Sequence, residues 1–241
     1  MYKEAIKDAI SMHELPSKWQ SDLLVEANKV TEKKKTAKYR KDLRNLPFAT
    51  IDGADAKDFD DAVYCIKNAT DYKLFVAIAD VSFYVEPGSK LDNEAKKRGT
   101  SIYFPGTVIP MLPESLSNGI CSLRPNEDRC SMICEMTISS DGKRKKYKFY
   151  SGLINSKARL TYNQVENHLR DKASKINDAK VRNSIDTLKS LTNLRLKLRN
   201  QRKALEINPK ETILELGKNK EVNNIRIKKS LFAHKLVEES M

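Results

Sequence analysis

Two hydrophobic periods divide this chain, and the switch between them constrains the fold more than any other feature. Up to about residue 155 the apolar residues run together or alternate. YKLFVAIADVSFYV at 72–85 is apolar and rich in β-branched and aromatic side chains, the mark of a buried strand. SMICEMTIS at 131–139 and KKYKFYSGLIN at 145–155 alternate, and the Ser-Asp-Gly turn at 140–142 joins them as a hairpin. From 162 to 203 the spacing becomes three or four. Val165 and Leu169 give one short helix, and Val181, Ile185, Leu188, Leu191, Leu194 and Leu198 give a long amphipathic one. A strand-rich part followed by a helical part is the order of an α+β domain.

The flanking segments are less regular. Ala5, Ile6, Ala9 and Ile10 share a helix face that Pro16 ends. A second helical run over about 17–34 carries Trp19, Leu23, Leu24, Ala27 and Val30. The polar stretch EKKKTAKYRKDLRNLP then reads as the end of a helical linker segment, 1–46, with a domain starting at about 47. Residues 87–99 predict a short helix closed by Gly99, and Pro105, Gly106, Pro110 and Pro113 predict an ordered loop with strand fragments. Short strand-like runs follow at 204–216 and 222–227, and SLFAHKLVEESM begins an amphipathic helix with Leu231, Leu236 and Val237.

At 39% hydrophobic residues the chain can build a core, which argues against intrinsic disorder. No apolar run approaches the roughly 20 residues of a membrane helix, so no membrane partner is expected. The N-terminus has no secretory pattern. Cysteines 65, 121, 130 and 134 have neither C-x-x-C spacing nor a disulfide framework, and Cys130 and Cys134 fall on one strand face as core residues. A reducing, cytoplasmic location is the expectation. The net charge of +13 is uneven: residues 51–142 carry 9 bases and 15 acids, whereas 143–203 carry 18 bases and 4 acids. So dense a basic segment fits a polyanionic partner, and it equally fits a solvated lysine-rich helical surface.

The acidic part contains the chemistry. IDGADAKDFDD at 51–61 holds Asp52, Asp55, Asp58, Asp60 and Asp61. Carboxylates so close repel one another unless a cation neutralises them, and an all-oxygen set suits Mg²⁺ or Mn²⁺. A calcium loop is excluded because no glycine follows at the required position. The alternative is an acidic surface loop. Phe59 inside the cluster and Ala62 and Val63 behind it place the aspartates at the edge of a core, where a metal is favoured over water. A hard-metal site beside a basic surface suggests phosphodiester hydrolysis, in which two ions activate a water and stabilise the leaving oxygen.

TIDGADAKDFDDAV resembles the metal-binding signature D-x5-D-x-D-D of the ribonuclease II/ribonuclease R (RNB) family. The run VAIADVSFYVEPGSKLDNEAKKRGTSIYFPGTVIPMLPESLSNGICSLRPNEDR, then CEMTI, then KARLTY, match in order, most closely to the family's bacterial ribonuclease R branch. The resemblance implies a mixed, largely antiparallel sheet flanked by helices. It also implies a processive 3′→5′ exoribonuclease that hydrolyses single-stranded RNA from its 3′ end to nucleoside 5′-monophosphates with Mg²⁺ (Mn²⁺ as a substitute). Carried over, Asp52, Asp58, Asp60 and Asp61 hold metal, and Asp60 matters most for catalysis. Asp55 lies outside the pattern. Tyr103 matches the aromatic that stacks on the 3′-terminal base, and Glu239 rather than Glu238 matches a residue near the terminal nucleotides. Arg98, Arg124 and Arg129 flank the motifs, as phosphate contacts or as partners of Glu94, Glu127 and Asp128, with pairing favoured. His13, His168 and His234 are scattered and suggest no site.

The family's S-P-[IL]-R-R-Y-x-D stretch, with its arginine at the scissile phosphate, has no counterpart here, nor do its oligonucleotide-binding barrels. Residues 47–241 are therefore expected to be the N-terminal portion of a catalytic domain, truncated at its C-terminus, for which a separately encoded C-terminal half would be a partner. The competing expectation is a remnant that binds RNA and Mg²⁺ with impaired cleavage.

Overall fold

The structure is a computed structural model, and it describes residues 2–31, 39–170, 174–205, 212–217, 221–227 and 229–241. In chain order the elements are α1 (Tyr2–Met12), α2 (Ser21–Thr31), β1 (Lys41–Asp42), β2 (Ala49–Asp52), β3 (Asp61–Asn68), β4 (Asp71–Ala79), α3 (Lys90–Arg98), β5 (Ile102–Phe104) and β6 (Thr107–Ile109). They continue with β7 (Asp128–Ile138), β8 (Arg144–Asn155), β9 (Ala158–Thr161), α4 (Tyr162–Leu169), α5 (Ala179–Gln201), β10 (Thr212–Leu216), β11 (Val222–Ile227) and α6 (Phe232–Glu238). They fall into two compact units.

The larger unit comprises Lys33–Phe83, Asn118–Leu205 and Leu231–Met241. Its sheet runs β1-β8-β7-β4-β3-β2-β9. The central pairs are antiparallel, and the two outermost, β1 with β8 and β2 with β9, are parallel. This is the mixed, largely antiparallel sheet that the resemblance implied. One face is covered by the amphipathic helices: Ile51, Val63, Leu74 and Val76 from the strands meet Val165, Val181, Ile185, Leu188 and Leu236 from α4, α5 and α6. These are the residues whose spacing predicted the helices, because a helix of this kind must bury its apolar stripe. Ser184 on α5 also accepts a hydrogen bond from the Cys65 N–H at 3.0 Å, fixing helix against strand. Phe48, Tyr64 and Phe75 pack edge-on or stacked with ring centres 5.6–6.3 Å apart. At Gly152 a Cβ would lie 2.6 Å from Ile133 Cγ1, so the buried Ile133 occupies the space a side chain would need.

Two boundaries differ from the sequence expectation. The strand expected over 72–85 stops at Ala79 because Asp80 turns the chain, accepting from Ser82 Oγ at 2.7 Å and from the Phe83 N–H at 3.2 Å. Asp80 is itself held by Arg40 at 2.6 Å. The polar stretch before residue 47 is also more than a connector where it is described. Lys41 and Asp42 pair with Gly152 and Leu153 in the sheet, and Leu43 is buried. Residues 32–38 of that stretch, and 206–211 of the later strand-like run, lie outside the described residues.

The smaller unit comprises Met1–Glu32, Tyr84–Ser117 and Glu206–Ser230. α2 and α3 pack on each other, with Leu23, Ala27 and Leu91 buried, whereas Leu24, from the same helical run, is exposed. α3 starts on a Ser89 cap and ends at Gly99 with φ 71°, the left-handed conformation that glycine adopts without strain. Arg98 takes the pairing role expected of it. It bonds Glu94 at 2.9 Å and the Lys18 carbonyl at 2.8 Å, with its guanidinium 3.5 Å from the centre of the Trp19 ring. β5–β6 and β10–β11 are antiparallel hairpins. No helix among the described residues is long and apolar enough to cross a membrane.

Candidate active site

β2 ends on Asp52 and β3 begins on Asp61, so two neighbouring antiparallel strands deliver carboxylates to the same end of the sheet. The loop between them carries Asp55, Asp58 and Asp60. It is tied down from several sides. Phe59 is buried and anchors it in the core. The fully buried Ser122 donates its hydroxyl to the Lys57 carbonyl at 2.8 Å and accepts from the Phe59 N–H at 3.0 Å, bracketing Asp58. The Phe59 carbonyl accepts from the Leu123 N–H and the Asp60 carbonyl from the Ala79 N–H, each at 2.8 Å. Arg159 on β9 reaches the Gly53 carbonyl at 3.0 Å and also bonds the Ala54 carbonyl. Asp55 is exposed, as expected of a residue outside the pattern.

The aspartates share one electrostatic environment. Burial pushes the Asp52 carboxyl up, and the charge of Asp58 adds to it, against the Gly53 N–H and Arg159. Asp60 keeps an exposed side, yet the protein crowding its carboxyl is the main reason for its upward shift, ahead of the charges of Asp58 and Asp52. Asp61 is pushed up to about 6, first by burial and then by Asp52 and Asp60. Its buried Oδ2 has no hydrogen-bond partner. A buried acceptor without a donor costs about 1–3 kcal/mol, and a cation is the partner such an oxygen lacks. The donor chemistry therefore fits a hard divalent ion, although among the described residues no three carboxylate, His or Cys side chains already close into a finished metal cage.

Tyr162 belongs to the same neighbourhood and was not singled out from the sequence. It follows Thr161, which pairs with Asp52 across β9 and β2. Its hydroxyl is pushed up to about 12 by burial and then by the charges of Asp52, Asp61 and Glu238. Its ring stacks on His234 at 4.1 Å. The KARLTY match carried the signal for Tyr162 and Arg159, but only the parallel β2–β9 pairing shows that they lie beside the carboxylates. His234, read as isolated, is thereby brought to the site's edge. At the end of α6, Glu239 is nearly buried in ion pairs with Arg199 at 2.9 Å and Arg195 at 3.9 Å. It is the exposed Glu238 whose charge reaches Tyr162. Tyr103 lies in the smaller unit, on the β5–β6 hairpin opposite Val108, and is 66% exposed.

Ser122 is the buried peg of this loop. Ser122→Ala removes one acceptor and one donor at once and strands the Phe59 N–H, so a loss of about 1–3 kcal/mol in chemical denaturation is expected. Divalent-ion affinity should fall with it, because Asp58 loses its bracket. Unchanged stability would show that the loop is held without the hydroxyl.

The RNB domain family model matches residues 40–241. Ribonuclease R of Escherichia coli is 43% identical over 98% of this chain and 30% of that protein. Ribonuclease R of Thermotoga maritima is 42% identical over 98% of this chain and 34% of that protein. A structure of Mycoplasma genitalium RNase R in complex with ribose methylated single-stranded RNA superposes with a TM-score of 0.92 at 34% identity, covering 98% of this chain and 37% of that one. The chain thus spans about a third of the length of these relatives.

Proposed function

This chain belongs to the RNB domain family, and from that membership we propose that it supplies the metal-binding part of a ribonuclease R-like 3′→5′ exoribonuclease that releases nucleoside 5′-monophosphates from single-stranded RNA. The observation that carries this reading is that Asp52, Asp60 and Asp61 are each pushed up by burial and by the charges of neighbouring aspartates, Asp58 among them. Asp52 and Asp61 on the strand ends, with Asp58 and Asp60 from the pinned loop, would hold Mg²⁺, or Mn²⁺ in its place. Such ions would supply the Lewis acidity to activate a water and to stabilise the leaving oxygen of an in-line displacement. Asp60, with its exposed side toward solvent, faces the reacting phosphate. Ser122 and Arg159 hold the loop so that its carboxylates need no rearrangement when RNA arrives. Tyr162 presents a hydroxyl that stays protonated throughout the neutral range, suited to donating a hydrogen bond to the terminal nucleotide.

Tyr103 serves as a stacking platform for a base, a contact that tolerates any sequence. Tyr103→Ala should weaken binding of single-stranded RNA by about 1–3 kcal/mol, or roughly 5–150-fold, in a filter-binding titration. An unchanged dissociation constant removes it from RNA binding. Glu239 contributes by fixing the end of α6 through Arg199, so that Glu238 and His234 stay beside Tyr162. A cytoplasmic location and a C-terminal partner supplying further RNA contacts complete the proposal.

The deciding experiment uses 5′-labelled single-stranded RNA with Mg²⁺ or with EDTA, for the chain alone and with a C-terminal half of a relative supplied in trans. Metal-dependent shortening from the 3′ end with 5′-monophosphate products is the expected result. RNA that is retained but never shortened in either case would favour the competing reading of an RNA-binding remnant.

A further inference from the structure

A second cluster of charge lies on the sheet face turned away from α4, α5 and α6. Glu135 of β7 alternates with Cys134 and Met136, which pack on the helix side, so its carboxylate emerges on the other face. It is 5% exposed. Three lysines from three strands gather on it: Lys73 of β4 at 2.8 Å, Lys148 of β8 at 3.3 Å and Lys41 of β1 at 3.7 Å. Tyr150 donates its hydroxyl to the same carboxylate at 2.6 Å. The ammonium groups also lie over aromatic rings, Lys41 and Lys148 over Tyr150 at 5.0 and 5.6 Å and Lys73 over Phe75 at 5.5 Å.

Neutralising Glu135 does not require this much. Burial raises the Glu135 carboxyl, and the bonds of Lys73, the Tyr150 hydroxyl and Lys148 outweigh it and hold Glu135 low, at about 2. In charge alone, one of the three lysines would suffice. Three cations against one anion leave two net positive charges within one patch, and the lysine side chains keep 39–57% of their surface exposed. Each ammonium has three donors, so most of them point to solvent. Lysines placed by a shared carboxylate and rigid strands form a pre-set receptor for an oxyanion that bridges two of them.

We propose that Lys41, Lys73 and Lys148, gathered on Glu135, are a phosphate-backbone contact for single-stranded RNA, separate from the aspartate cluster. The choice of RNA rests on the function proposed above. The contact recognises phosphodiester groups without reading sequence, and it places an RNA-holding surface on β1, β4, β7 and β8. Within the basic 143–203 segment, Lys148 is thereby distinguished from Arg170, Lys189 and Arg199, which bond Glu166, the Leu169 carbonyl and Glu239 inside the unit.

The test reads binding in EDTA, so that hydrolysis does not enter, by fluorescence anisotropy of a labelled single-stranded RNA from 50 to 300 mM salt. Lys41→Gln/Lys148→Gln leaves Lys73 and Tyr150 on Glu135. It should weaken binding about tenfold at the lowest salt and flatten the slope of log K against log salt by about 1.4, the share of two phosphates. Lys3→Gln/Lys7→Gln on α1 removes the same charge and should shift neither quantity appreciably. Lys148→Gln alone, should the double variant not fold, is expected to give about half the change in slope. Equal weakening by both double variants, an unchanged slope, or no RNA binding by the parent chain at 50 mM salt overturns the contact. Cleavage in Mg²⁺ is scored separately, so the nuclease reading and the lysine contact fail independently.

Discussion

Asp60→Asn is expected to lower Mg²⁺-dependent RNA shortening by at least about 10²–10³-fold, the scale of losing one transition-state stabiliser, while leaving the fold and RNA retention intact. Residue 60 is positioned through its backbone, whose carbonyl accepts from the Ala79 N–H at 2.8 Å, and asparagine keeps that bond. Asparagine also has nearly the same shape, so the variant differs only in charge and in the strength of its oxygen as a ligand. Removing one of several mutually repelling carboxylates should moreover leave RNA bound as tightly as before or slightly more tightly, since the polyanion meets one negative charge fewer. Asp55→Asn is the matched control. Asp55 is exposed, and a change within about twofold is expected there, as for most surface substitutions. The comparison is made in the combination of chain and C-terminal half that shortens RNA. Equal activity of Asp60→Asn and the parent would remove Asp60 from catalysis, and equal loss in both variants would mean that net loop charge, not position, is what counts.

The sequence carried these expectations unevenly, for physical reasons. The helices over 162–203 were legible because Val165, Val181, Ile185 and Leu188 must form a stripe to bury, and a stripe has a period. The β7–β8 hairpin was legible because its turn chemistry is local. What local pattern cannot express is pairing across distance. The short strands β2 and β9 carry too few residues to show a period, yet their parallel register sets Thr161 beside Asp52 and so brings Tyr162 to the carboxylates. Ser122 is likewise an ordinary serine until the fold carries it to the Lys57–Phe59 segment, whose bonded residues lie 65 and 63 positions earlier. Asp80 ended a strand that hydrophobicity alone would have continued, because a buried carboxylate with Arg40 as partner outweighs the apolar run around it. In the candidate site, the aspartate run drew attention to the carboxylates proposed to hold metal, and the fold added what restrains them. Glu239 shows the converse: its match to the family pattern did not reveal that Arg199 and Arg195 already engage it.

Asp61→Asn should make the metal-free chain more stable at pH 8, the reverse of what most substitutions at an active centre do. In the folded chain Asp61 is held at about 6, where an ordinary aspartate titrates near 3.8. Between those values the folded state keeps a proton that the unfolded state has released, so stability falls as pH rises through the window and stays reduced above it. The cost of the buried charge at pH 8 is roughly 1–3 kcal/mol, with the lower end favoured by the solvent that reaches the loop. Asparagine carries no charge, so the cost of burying one disappears. A rise in melting temperature of about 2–6 °C in EDTA at pH 8 is therefore expected, roughly halved at pH 5, inside the window, and vanishing only below the ordinary aspartate range, where the folded and unfolded chains both hold the proton. A divalent ion reverses the ranking. The parent should gain about 2.7 kcal/mol at a hundredfold excess of Mg²⁺ over its dissociation constant, whereas Asp61→Asn, short of one anionic ligand, should gain little at the same concentration. Melting curves at the two pH values, with EDTA and with Mg²⁺, contain the whole argument. If the variant is less stable than the parent in EDTA at pH 8, the carboxylate is satisfied within the protein and does not await a cation. If it gains as much from Mg²⁺ as the parent, the ion binds without it.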